Sequence, residues 1–121
     1  MPFSKKDEVK RFISDFKTKL EIFDIIFLDK RKKNTQALLD LEITPAQRKR
    51  IVASIELEDF VEGPVAEELY GMADMWVFGK NVKNKEVYIK VTLGNPNRQV
   101  ICISFHIAEY ALKYPFKKGK K

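Results

Sequence analysis

Four side chains near the C-terminal end of the chain could do chemistry together: Tyr88, Lys90, Ser104 and His106. They are a phenol, an ammonium, a hydroxyl and the only histidine of the sequence. Histidine as a residue type titrates near neutral pH and can give or take a proton there. A neighbouring ammonium and phenol can stabilise developing negative charge or donate a proton. This set suits acid–base chemistry without a metal. Cleavage of RNA needs no more than that, because the 2′-hydroxyl is a nucleophile already placed beside the scissile phosphate. His106 is the candidate acid or base, and Tyr88, Lys90 and Arg98 are candidates for the groups around the phosphate. Each also has an ordinary explanation. A lone histidine at a strand end is commonly structural, and Tyr88 and Lys90 occupy alternate positions typical of a solvent face.

The stretch that must position these groups runs from Glu86 to His106. Two alternating, β-branched runs flank Gly94-Asn95-Pro96-Asn97, the signature of an antiparallel hairpin. The first run puts Val87, Ile89, Val91 and Leu93 on one face and Glu86, Tyr88, Lys90 and Thr92 on the other. The second puts Ile101, Ile103 and Phe105 on one face and Arg98, Val100, Cys102, Ser104 and His106 on the other. A register that buries both apolar sets gathers Tyr88, Lys90, Ser104 and His106 on one shared face.

The remaining elements follow in order. Val9, Phe12, Ile13, Phe16 and Leu20 form a helical stripe, predicting a helix from Ser4 to about Lys19 with Ser4 and Asp7 at its start. Glu21–Leu28 reads as a strand. Asp29 and four basic residues follow, as a solvated loop or one that touches phosphate through Lys32 and Lys33. Asn34 or Thr35 can cap a short helix carrying Ala37, Leu38, Leu39 and Leu41. Thr44-Pro45-Ala46-Gln47 starts another that reaches about Ile55, with Ile51, Val52 and Ile55 inward and Arg48, Lys49 and Arg50 mostly outward. Gly63-Pro64 is a break, followed by a weak helical pattern through Val65, Leu69 and Tyr70. Met75–Phe78 reads as a strand that Gly79-Lys80-Asn81 ends. Trp76 can be read as core or as a platform for stacking a base. The sum is one α+β domain spanning 1–121, with N-terminal helices on one face of an antiparallel sheet and a disordered basic tail over about 117–121.

Composition narrows the partners. The 121 residues carry a net charge of +6. Seven acidic residues and no basic one lie between Glu56 and Asp74, so the rest of the chain carries +13. A polyanion is a natural partner for such a surface, although lysines also serve solubility. A single histidine and a single cysteine, Cys102, do not supply the ligand set of a protein-held zinc site, and no cofactor is expected. Glycine-rich phosphate loops and serine elbows are missing. With no apolar run near 20 residues and no signal-like N-terminus, a cytoplasmic protein without a membrane partner is expected.

The residues Asp59-Phe60, Trp76, Glu86-Val87-Tyr88-Ile89-Lys90-Val91 and Ile103-Ser104-Phe105-His106 resemble those of the motility quorum-sensing regulator toxins (MqsR-type). These are RelE-like messenger-RNA interferases of bacterial toxin–antitoxin systems. Tyr114-Pro115-Phe116 resembles a longer-tailed branch of them, and the likeness covers roughly Leu57 to Phe116. It implies a RelE-like, microbial-ribonuclease-like fold, metal-independent cleavage of mRNA either free or on the ribosome, and inhibition by a cognate antitoxin protein. By this resemblance the family's tyrosine and following lysine fall on Tyr88 and Lys90, and a family lysine falls on His106. Two further family positions, a lysine and a glutamine, fall on Glu62 and Val77, with Lys80 a possible substitute cation. An RNA-binding set of Arg98, Lys80, Trp76, Lys32 and Lys33 completes the expectation. The competing readings are a non-catalytic relative that binds RNA or an antitoxin, and a basic module of a larger complex.

Overall fold

The computed structural model describes residues 4–66, 71 and 73–117. The first helix, α1, spans Lys5–Phe23, and Ser4 caps it by accepting the backbone N–H of Asp7. Its buried residues are the expected five, Val9, Phe12, Ile13, Phe16 and Leu20. The helix runs four residues further than its pattern suggested and ends at Asp24, whose φ of 70° is left-handed. The strand expected over Glu21–Leu28 is therefore reduced to β1, Ile25–Phe27.

Next come α2, Lys32–Leu41, and α3, Pro45–Ala53. Thr44 and Gln47 form the full reciprocal capping box at the start of α3. Arg48, expected outward, is instead only 3 % exposed. Its guanidinium makes a two-pronged bond to Asp29 at 2.8 and 3.0 Å and lies 3.7 Å from the Phe27 ring centroid. A buried charge is tolerable when paired and hydrogen-bonded in this way. The pair fixes the loop after β1, from which the basic run continues into α2.

After a 3₁₀ turn, Leu57–Asp59, four strands follow among the described residues: β2, Phe60–Val65; β3, Met75–Val82; β4, Lys85–Thr92; and β5, Val100–Ile107. The order across the sheet is β1-β5-β4-β3-β2. Every pairing is antiparallel except β1 with β5. Gly63-Pro64 does not break the chain into a helix but lies within β2. Proline is acceptable there because β2 is an edge strand, paired among the described residues with β3 alone. Leu69 and Tyr70, read as part of a weak helix, lie outside the described residues. Gly79-Lys80-Asn81 extends β3 rather than ending it. The tight turn comes at Lys83-Asn84, both with positive φ, the two-residue geometry that suits hairpin twist.

Among the described residues, the three helices share one core with one face of the sheet, an α+β arrangement. The apolar residues of α1 meet Trp76, Phe78, Val87, Ile89, Val91 and Phe105, with Ala37, Leu41, Val52 and Ile55 closing the cluster. Among the described residues no helix is long and apolar enough to cross a membrane.

Candidate active site

The opposite face of the sheet carries Tyr88, Lys90, Ser104 and His106. Strand β4 presents Val87, Ile89 and Val91 to the helices, so Tyr88 and Lys90 face away from them. In the β4–β5 register Tyr88 is opposite His106 and Lys90 is opposite Ser104. The Tyr88 and His106 rings are nearly parallel, with centroids 5.2 Å apart and planes inclined by 15°. The Lys90 ammonium lies 5.8 Å from the Tyr88 ring centroid.

A bulge in β5 makes this grouping compatible with the core. Lys90 pairs with Ser104 but Val91 pairs with Cys102, leaving Ile103 as the additional residue. The expected strict alternation put Val100 and Cys102 beside Ser104 and His106. With the extra residue, Val100 and Cys102 turn into the main core together with Phe105. Cys102 is fully buried, and burial pushes its thiol far above the usual range. It packs as a small hydrophobe.

Asn34 holds the bulged strand. Strand β1 covers β5 only as far as Cys102, whose carbonyl accepts from Leu28 N–H at 3.1 Å. Beyond that point the Asn34 amide donates to the carbonyls of Ile103 and Leu28 at 2.9 and 2.8 Å, and it accepts the N–H of Phe105 at 2.9 Å. Asn34 is not a helix cap but a residue of the first turn of α2, only 1 % exposed.

The hydrogen bonds assign roles. His106 Nδ1 lies 2.9 Å from the Ile107 carbonyl, which can only accept, so Nδ1 carries a proton. In the neutral ring Nε2 is then the acceptor. Burial first, then the neighbouring Tyr110 phenol and the Glu62 carboxylate, raise the Tyr88 phenol above its usual range, against an opposing effect of Arg31. Tyr88 therefore stays protonated, as a donor.

The C-terminal segment forms the wall beside these groups. Ala108 N–H donates to the Glu86 carbonyl, and the Glu86 carboxylate accepts from Leu112 N–H at 3.0 Å and the Tyr114 hydroxyl at 2.7 Å. Gly79 is required beneath it, since a Cβ there would lie 2.8 Å from Leu112 Cδ1 and closer still to the Tyr114 hydroxyl. Between the two anchors, Glu109 pairs with Lys33 and Tyr110 stands 66 % exposed.

The remaining expected residues divide. Lys32 and Lys33 line a groove of about 320 Å³ that also includes His106. Lys80 falls at the same alternate positions as Trp76, Phe78 and Val82 and so lies on the helix side, bonded to Asp59 at 3.0 Å. That position is across the sheet from Tyr88, so Lys80 does not stand in at Glu62. Trp76 is a core residue, 8 % exposed and stacked on Phe12 at 4.7 Å, and offers no platform to a base. Arg98 is exposed in the β4–β5 connection, beyond Thr92, which is itself roughly 13 Å along the strand from Tyr88. Glu62 and Val77 are register partners, and Val77 is in turn paired with Lys90. Sequence reasoning missed Asn34 as a strand substitute, Glu86 as the clamp, and Glu109 and Tyr110 as neighbours of the site. Only the polar Glu109-Tyr110 pair after an apolar strand was a visible signal.

Comparisons with protein-family models, curated proteins and solved structures found no match.

Proposed function

We propose that this protein is a metal-independent endoribonuclease acting on mRNA in the cytoplasm, as the toxin of a bacterial toxin–antitoxin pair. The observation that carries the reading is the Tyr88–His106 stack, with an imidazole Nε2 that has no partner among the described residues, a protonated phenol and the Lys90 ammonium on one face. In the proposed reaction His106 Nε2 takes the proton of the 2′-hydroxyl as its oxygen bonds to phosphorus. The bond from phosphorus to the 5′-oxygen breaks, and that oxygen receives the Tyr88 proton. Lys90 stabilises the added charge on the phosphoryl oxygens. The products are a 2′,3′-cyclic phosphate and a 5′-hydroxyl, and proton return from imidazolium to phenolate resets the pair.

Three of the family positions, those of Glu62, Val77 and Lys90, fall in one cross-strand row that continues to Ser104, on the same face as the Tyr88–His106 pair, which supports the reading as an MqsR-type toxin. The same row favours a second reading. An acidic Glu62 and an apolar Val77 replace two polar family residues, which suits a non-catalytic protein that binds RNA or a cognate antitoxin.

Purified protein incubated with single-stranded RNA in excess chelator separates these readings. The proposal expects continued cleavage with 2′,3′-cyclic phosphate and 5′-hydroxyl ends. No cleavage, 5′-phosphate ends, or activity that returns only with a divalent ion would overturn it.

A further inference from the structure

The groove beside His106 contains a feature the cleavage scheme does not use. Lys32, Lys33 and Gln36 of α2 form one side, and His106, Ile107 and Glu109 form the other. Glu109 reaches across to Lys33 Nζ at 2.5 Å. Asp40, at the same groove, already accepts from Gln36 at 2.9 Å.

We infer that this groove seats a second phosphate of the bound strand, and that Glu109 is the resident anion which Lys33 gives up when that phosphate arrives. The inference rests on the RNA reading and assigns the regulation of its binding surface. A carboxylate and a phosphate oxygen accept the same charge-assisted bonds from an ammonium. The side chains of Lys33 and Glu109 are 60 % and 59 % exposed, so solvent screens the pair and its opening costs little. The Glu109 backbone is bracketed by the bonds of Ala108 and Leu112 to Glu86, which leaves the carboxylate as the part that moves. Hydrogen bonding from Lys33 keeps the Glu109 carboxyl below the ordinary carboxylate range, so the exchange is anion for anion at neutral pH. A phosphate that replaces Glu109 on Lys33 meets a pair with no net charge, so its arrival releases few of the cations condensed on the RNA. Glu109 therefore lowers both the affinity for RNA and its dependence on salt.

The test is binding of a short single-stranded 2′-O-methyl oligonucleotide, which lacks the nucleophile and cannot be cleaved, measured by fluorescence anisotropy over a series of salt concentrations. Glu109→Gln should tighten binding about two- to fivefold and steepen the log–log salt slope by up to about 0.7, the contribution of one phosphate. Lys33→Gln should weaken binding by a similar factor, and Glu109→Gln added to it should lose most of its effect. Unchanged or weaker binding by Glu109→Gln would overturn the inference. So would an equal gain with Lys33 absent, or no binding by any of the proteins. Tightening in a protein that cleaves no RNA would keep the exchange and remove the nuclease. Cleavage with no effect of Glu109→Gln would do the reverse.

Discussion

The Asn34 side chain is to Phe105 what a neighbouring strand would be: it accepts the Phe105 N–H at 2.9 Å and donates to the carbonyl of Ile103 two residues earlier. A helix residue thus completes the edge of β5 where β1 stops, beside the bulge that sets the direction of His106. Asn34→Ala would leave the buried Ile103 carbonyl, the part-buried Leu28 carbonyl and the Phe105 N–H without their partner, and should cost about 3 kcal/mol in urea unfolding. Asn34→Asp should also destabilise, because it retains the acceptor but loses both donated bonds and buries a charge. A stability within about 0.5 kcal/mol of the parent for Asn34→Ala would show that the edge is not held this way.

Trp76 belongs to stability rather than to recognition. It stacks on Phe12 inside the core, so Trp76→Ala should lose about 3–5 kcal/mol of folding free energy. The RNA affinity of the folded fraction should stay unchanged. A stacking platform would instead lose about 1–3 kcal/mol of binding per base.

The clamp on the C-terminal segment should respond to alkali. Burial first, and then the hydrogen bond and charge of Glu86, raise the Tyr114 phenol well above its usual range. The folded-state pKa is above the unfolded one of about 10. The stabilising contribution is therefore complete below about pH 10 and is lost as pH rises beyond it. Thermal unfolding followed from about pH 8 to about pH 11 should show a smaller loss of Tm for Tyr114→Phe than for the parent. Equal losses would mean that the Tyr114–Glu86 bond does not contribute.

The shared face of Tyr88, Lys90, Ser104 and His106 was legible in the sequence because strand alternation and cross-strand register are local consequences of the hydrophobic pattern. The capping box at Thr44 and the stripe of α1 were legible for the same kind of reason. What could not be read depends on partners distant in the chain. Ile103 is apolar whether or not it is the bulged residue, and only the competing demands of Cys102 and Ser104 reveal the shift. Arg48 reads as a surface charge until Asp29 and Phe27 are seen around it. Lys80 and Trp76 looked available for RNA because nothing in β3 says which of its faces the helices cover. Gly63-Pro64 reads as a break because edge position, which makes proline tolerable, is a property of the sheet.

The most direct test of the account is the cleavage rate of folded His106→Ala on single-stranded RNA, with affinity measured alongside. Loss of the group that takes the 2′-hydroxyl proton should lower the rate by about 10²–10⁴-fold while RNA affinity stays nearly intact. His106→Lys should recover little, since the reference pKa of lysine, about 10.4, leaves almost no free base at neutral pH. A folded His106→Ala protein that cuts RNA at the parental rate would contradict the mechanism at its centre.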